Sequence, residues 1–189
     1  MTLVEVLVAL VVFGFLSAAL MGLSLAGSRD AAVAHHDVAA VNVAQEILEQ
    51  VKSASENQLG TAQGGANTTI QLGFEASSSD DCYNEMTIAL TGGKGVGQVR
   101  KITDYDGILR TAAVDQPWDT VPDITTEYVI FKGVSSLYSY RVEIGQPHEL
   151  TGELRPDGEL KTVTVTVSYV AAGGCIRKVE LTGERLKRW

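Results

Sequence analysis

Few residues in this chain have chemistry to account for, and they are widely spaced. Glu5 is the only charged side chain in the first 28 residues, within the run MTLVEVLVALVVFGFLSAALMGLSLAGS. A carboxylate in an apolar segment of that length costs roughly 2.5 to 3.5 kcal/mol at a helix centre on insertion scales, so it needs a partner and by default marks function. The next basic residue, Arg29, is at least six helical turns away. The α-amino group of Met1 is close in sequence, and the same group on a neighbouring copy would serve equally well. His35 and His36 stand beside Asp37, but residues one apart do not share a helix face, so a two-histidine metal site would need a second subunit. The run Ser77 to Asp81 offers oxygens to calcium without the spacing or glycine of an EF-hand, and reads as a hydrated loop. Cys82 and Cys175 are the only cysteines and make no Cys-x-x-Cys pattern, which disfavours metal clusters and covalent haem. In an oxidising compartment they would form one disulfide, closing a loop of about 90 residues for roughly 4 to 5 kcal/mol; two separate buried thiols are the alternative. The glycines of Gly92 to Gln98 open no helix, and neither H-E-x-x-H nor G-x-S-x-G occurs. The chain therefore reads as a non-enzyme with no cofactor and no metal.

Stepping along the chain shows what must position these residues. No proline occurs before Pro117, and helix formers dominate from Thr2 to about Ser53, which predicts one long helix. Its first half is apolar on every face. Its second half places Val41, Ala44, Leu48 and Val51 on one stripe and leaves Glu46, Glu49 and Lys52 outside it, so that half should pack on a domain. Gly14 and Gly22 each weaken the helix by about 1 kcal/mol relative to alanine. They either permit close helix packing or let the helix stretch locally. Beyond Ser53 a Gly-, Ser- and Asn-rich connection follows, then alternation of period two. Met86, Ile88 and Leu90, and later Val163, Val165, Val167 and Tyr169, alternate with Thr, Ser and Ala, as in half-buried strands. Tight turns are expected at Tyr105-Asp106-Gly107, Pro156-Asp157-Gly158 and Gly173-Gly174. The expected fold is α+β, with an antiparallel sheet of at least four strands on the amphipathic half of the helix. The organisation divides into residues 1–28 as apolar anchor or filament core, 29–53 as packed helix half, and 54–189 as a β-rich domain.

The stretch TLVEVLVAL from Thr2 to Leu10, followed by an apolar segment and the amphipathic run Val38 to Val51, resembles the N-terminus of type IV pilins and type II secretion pseudopilins. The resemblance implies a precursor cut after a glycine by a prepilin peptidase, N-methylation of Met1, and pairing of Glu5 with a neighbouring Met1 amine, assisted by Thr2. It implies subunits held in the inner membrane, then assembled by a dedicated machinery into an extracellular filament. Met1 stands where the family usually has Phe, and is either a processed first residue or an initiator; Gly22 stands where many major pilins carry proline. Pilus subunit, pseudopilin and low-copy minor pilin all fit, and outside the family a membrane-anchored adhesive module competes. Residues 97–130 resemble a short β-meander of phage tail proteins, an elaboration carrying no chemistry, in which Trp118 reads as a packing plug.

Charge and composition narrow the classes further. A net charge of -8 argues against a general nucleic-acid or anionic-membrane binder, whose phosphate contacts need Lys and Arg. The C-terminal cluster Arg185, Lys187, Arg188 is a local exception. The apolar run lacks the basic start and short core of a signal peptide and matches the roughly 20 residues that span a bilayer.

Overall fold

A computed structural model describes residues 3–134, 138–147, 158–171 and 174–188. The first element is the helix α1 (Leu3–Ser53), 51 residues long without interruption. A single 3-10 turn at Glu56–Gln58 leads into ten strands: β1 (Leu59–Thr61), β2 (Gly64–Ala66), β3 (Thr69–Gln71), β4 (Thr87–Gly92), β5 (Val99–Asp106), β6 (Thr111–Val114), β7 (Glu127–Phe131), β8 (Ser139–Pro147), β9 (Gly158–Val170) and β10 (Ile176–Arg188). They form a seven-stranded sheet of order β1-β7-β4-β5-β6-β3-β2 and a three-stranded sheet of order β10-β9-β8. All strand pairs are antiparallel, and the fold is α+β.

Two cores result, and the period of two explains them. Along β7, Val129 and Phe131 enter the core beneath the helix, while Tyr128 and Ile130 point the other way into a second core. Along β4, Ala89 joins the first core and Ile88 and Leu90 the second. Every residue of β4 from Thr87 to Thr91 is buried, so the half-buried strand expected at Met86 to Leu90 is instead a central strand covered on both faces. The strand β9 keeps the expected alternation, with Val163, Val165, Val167 and Tyr169 buried and their neighbours half-buried.

The first core lies between the second half of α1, the inner face of the three-stranded sheet and one face of β4 and β7. Ala40, Ala44, Ile47, Leu48 and Val51 supply the helix side. The expected stripe is confirmed at Ala44, Leu48 and Val51 and corrected at Val41, which is only half-buried while Ala40 and Ile47 take the central places. The interface is wider than one row because the helix meets β9, β10 and β7 at once. Gly183 permits the closest approach: a Cβ there would lie 3.1 Å from both Leu48 methyls.

Residues 97–130 supply β5 and β6, consecutive antiparallel neighbours, and most of β7. Trp118 is buried in the second core as the expected plug, its Nε1 donating to the Thr69 carbonyl at 3.3 Å and its ring 5.6 Å from the Arg100 guanidinium carbon. The turn predicted at Pro156 and Asp157 lies outside the described residues. Antiparallel pairing of β9 with β10 agrees with the turn expected at Gly173-Gly174, and Gly174 has φ 80°.

The second core also sets a pH limit. Burial raises the phenol of Tyr128 from its usual 10 to about 12 and raises that of Tyr105 as well, Tyr83 adding to the effect on both. Above about pH 10 the unfolded chain loses these protons while the folded chain keeps them, so stability falls as pH rises toward the folded values. Below about pH 10 that stabilisation is fully present. Urea midpoints should drop between about pH 9 and about pH 11, and Tyr128→Phe should shallow the decline while costing some stability at neutral pH, because the Gly73 N–H loses its acceptor at 3.0 Å.

Candidate functional site

Among the described residues, the most extended exposed apolar surface is the first half of α1. Leu3–Ser24 is a 22-residue segment of mean hydropathy 2.6, long and apolar enough to cross a membrane, with none of it buried against the rest of the molecule. Leu3, Phe13, Phe15, Leu20, Met21 and Leu23 are among its exposed side chains, and Phe15 is 75% exposed. Val11, Val12 and Phe13 are consecutive and all exposed, each about 100° around the helix from the last, so the apolar surface surrounds the helix. Glu5 lies in the first turn, exposed among these residues. Met1 and Thr2, the expected pairing partners and methylation site, lie outside the described residues. The helix runs without a break across Gly14 and Gly22, and a Cβ at either would meet nothing within 4 Å. In the single chain both glycines are therefore compatible with regular helix.

Two polar contacts join the helix to the domain at either end of its packed half. At one end Asp37 accepts from the Tyr169 hydroxyl and pairs with Arg177 Nη1 at 2.9 Å, while the His36 ring stacks on Tyr169 with centroids 6.1 Å apart. The Asp37 carboxylate raises the Tyr169 phenol above its ordinary value by holding its proton. At the other end Arg185 donates to the carbonyls of Ala54 at 2.7 Å and Lys52 at 3.4 Å. The Lys52 carbonyl belongs to the last turn of α1 and the Ala54 carbonyl follows directly on it, where the helix offers no further N–H partner, so a cation is favoured there. Burial lowers the Arg185 guanidinium from its usual value, and nearby Glu56 opposes that shift. Both cations come from β10, on whose helix-facing side Arg177, Val179, Leu181, Gly183 and Arg185 alternate. The sequence singled out Asp37 only as a neighbour of two histidines and Arg185 only as part of a basic tail; the pairing of Asp37 with Arg177 across 140 residues, and of Arg185 with the end of the helix across 131 to 133, had no local signal.

The cysteines require a correction. Cys82 and Cys175 are unbonded and exposed, neither the disulfide nor the buried thiols expected. Cys82 sits in the loop before β4, tied to the large sheet by Asp81 N–H donating to the Tyr105 carbonyl at 3.0 Å. Cys175 sits in the β9–β10 connection of the other sheet. Both thiols should react with a maleimide in native protein without reductant, at two equivalents per chain by mass spectrometry; a Cys82–Cys175 crosslinked peptide would contradict this placement. The Ser77 to Asp81 oxygens are used internally. Asp80 accepts from the Gly107 N–H at 2.7 Å, and Asp81 from Asn84 at 2.7 Å.

A cavity of about 460 Å³ opens between the two sheets beside the end of α1, with Glu56, Glu75, Glu127, Lys161 and Arg185 on its wall. Nothing in the spacing of these residues marked it. Comparison with protein-family models, with curated proteins and with solved structures returns no match for this chain. The functional reading therefore rests on the helix and on the residues themselves.

Proposed function

We propose that this chain is a structural subunit of an extracellular helical filament of the type IV pilus kind. The observation that carries the reading is the helix α1, apolar on all faces and uncovered in its first half, continuous with a second half clamped onto a β domain. Such a molecule has two places to put its apolar half, among copies of itself or in lipid. A repeated head-to-tail contact that does not close into a ring builds a helical filament, with the apolar helices inside and the β domains as coat. Burial of the apolar surface is worth about 25 cal/mol per Å² relative to water. A subunit waiting in the inner membrane has already gained that, so assembly draws on helix packing, on pairing of Glu5 with the Met1 amine of an adjacent copy, and on an energy-consuming assembly machinery. A prepilin peptidase would act on the precursor and leave Met1 for methylation.

Gly14 and Gly22 enter at the assembly step. The helix should stretch between them in the filament, where neighbouring subunits can satisfy the freed backbone groups, and stay regular in the isolated chain. A filament map with unbroken helical hydrogen bonding from residue 10 to residue 26 would refute that step. The overall reading is tested by electron microscopy and mass spectrometry of material sheared from cells. Filaments in which this chain is the dominant protein are expected. Trace amounts in filaments of another protein would make it a minor pilin, and its absence from all filaments would overturn the proposal.

A further inference from the structure

The cavity between the sheets carries a ligand argument of its own, independent of filament assembly. We propose that it binds an organic cation, a primary ammonium on a short apolar stem. Its volume of about 460 Å³ falls within the range of small-molecule sites. Part of its wall is apolar, from Leu59, Tyr128 and Ile144, and Phe74 stands at its edge 76% exposed, a large ring with nothing covering it.

The charges decide the sign of the ligand. Three carboxylates, Glu56, Glu75 and Glu127, face two cations, Lys161 and Arg185. The cations are already committed: Lys161 Nζ lies 3.9 Å from Glu127 Oε1, and Arg185 donates to the carbonyls of Lys52 and Ala54 at the end of α1. Among the described residues Glu75 forms no ion pair. An anion entering here would meet a surplus of negative charge and no uncommitted partner, whereas an ammonium would meet a carboxylate.

A second observation is independent of the charge. Thr91 lies on the cavity wall, is 2% exposed, and its Oγ1 has no hydrogen-bond partner among the described residues. A buried polar group left in that state costs about 1 to 3 kcal/mol. An ammonium carries three donors and no acceptor. It matches a site that offers carboxylate and hydroxyl oxygens above an apolar floor. The same chemistry is carried by a free alkylamine and by a lysine side chain of a neighbouring protein, whose four-carbon stem is apolar up to the charge.

The test is calorimetric titration of the full-length chain in neutral-detergent micelles with n-butylammonium, n-butanol and butyrate. Saturable binding is expected for butylammonium, at least about ten-fold weaker for butanol and none for butyrate. Glu75→Gln and Thr91→Val should each weaken the amine several-fold; Glu75→Gln should leave the thermal unfolding curve unchanged because Glu75 is exposed, and Thr91→Val should raise the melting temperature because it removes a buried hydroxyl that has no partner among the described residues. Equal affinity for amine and alcohol, unchanged amine binding in Glu75→Gln, or no saturable amine binding in the millimolar range would each overturn the proposal. The source is read from Nα-acetyl-lysine-N-methylamide. Binding as tight as butylammonium assigns the site to a protein lysine, and its exclusion assigns the site to a free amine.

Discussion

Glu5→Ala is expected to abolish surface filaments or reduce them sharply while leaving membrane-inserted subunit at its normal level. The side chain sits in the first turn of a helix whose surroundings are otherwise apolar, so in an assembled core it would be surrounded by hydrocarbon from its own and neighbouring helices. Under the proposed assembly it pairs with an ammonium of the adjacent copy. Removing one member of a buried pair costs roughly 3 to 5 kcal/mol, because the other charge is left uncompensated. A helical polymer repeats that cost at every subunit, which is why the effect should appear as loss of filaments. Immunoblots of membranes and of sheared fractions measure both quantities. Wild-type filament yield in the variant would exclude the pairing; loss from the membrane fraction as well would point to an insertion defect.

The second large effect is expected at Ile47. This side chain is fully buried at the centre of the first core, where α1 meets β9, β10 and β7. Ile47→Ala removes buried methyl groups and leaves a cavity that the two sheets, held by long ladders, can fill only in part. Losses of this kind run from about 2 to 5 kcal/mol. For a domain of this size that lowers the melting temperature by roughly 2 to 4 °C per kcal/mol. Glu49→Ala, two residues on and exposed, provides the comparison and should change stability by less than about 0.5 kcal/mol. Melting followed by circular dichroism in detergent micelles distinguishes them. Equal melting temperatures for the two variants would mean that the helix is not held by this face.

These two positions differ in how far the sequence exposed them. Glu5 could be singled out from sequence alone, because a lone carboxylate in an apolar run violates a rule that depends only on composition and length. Ile47 could not be ranked above Val41, since the width of the buried helix face depends on how many strands meet it, and strand number in an interface is a tertiary quantity. The same limit applies to β4. Its alternation of Ile88 and Leu90 with Thr and Ala suggested one wet face, yet Ala and Thr are small and neutral enough to be buried, and a second layer covers them.

Local periodicity and its strong exceptions were enough to read the extent of α1 from Leu3 to Ser53, its apolar and amphipathic halves, the alternation of β9 and the α+β class. Which distant residues meet follows from the packing of strands and helix. That packing brought Asp37 to Arg177 and Arg185 to the end of the helix, left the Cys82 and Cys175 thiols exposed in two separate connections, and gathered Glu75, Thr91 and Lys161 around one cavity. Charge pairs and cavities of this kind are set by the order in which strands are laid side by side, and antiparallel ladders bring together residues whose separation along the chain carries no periodic signal.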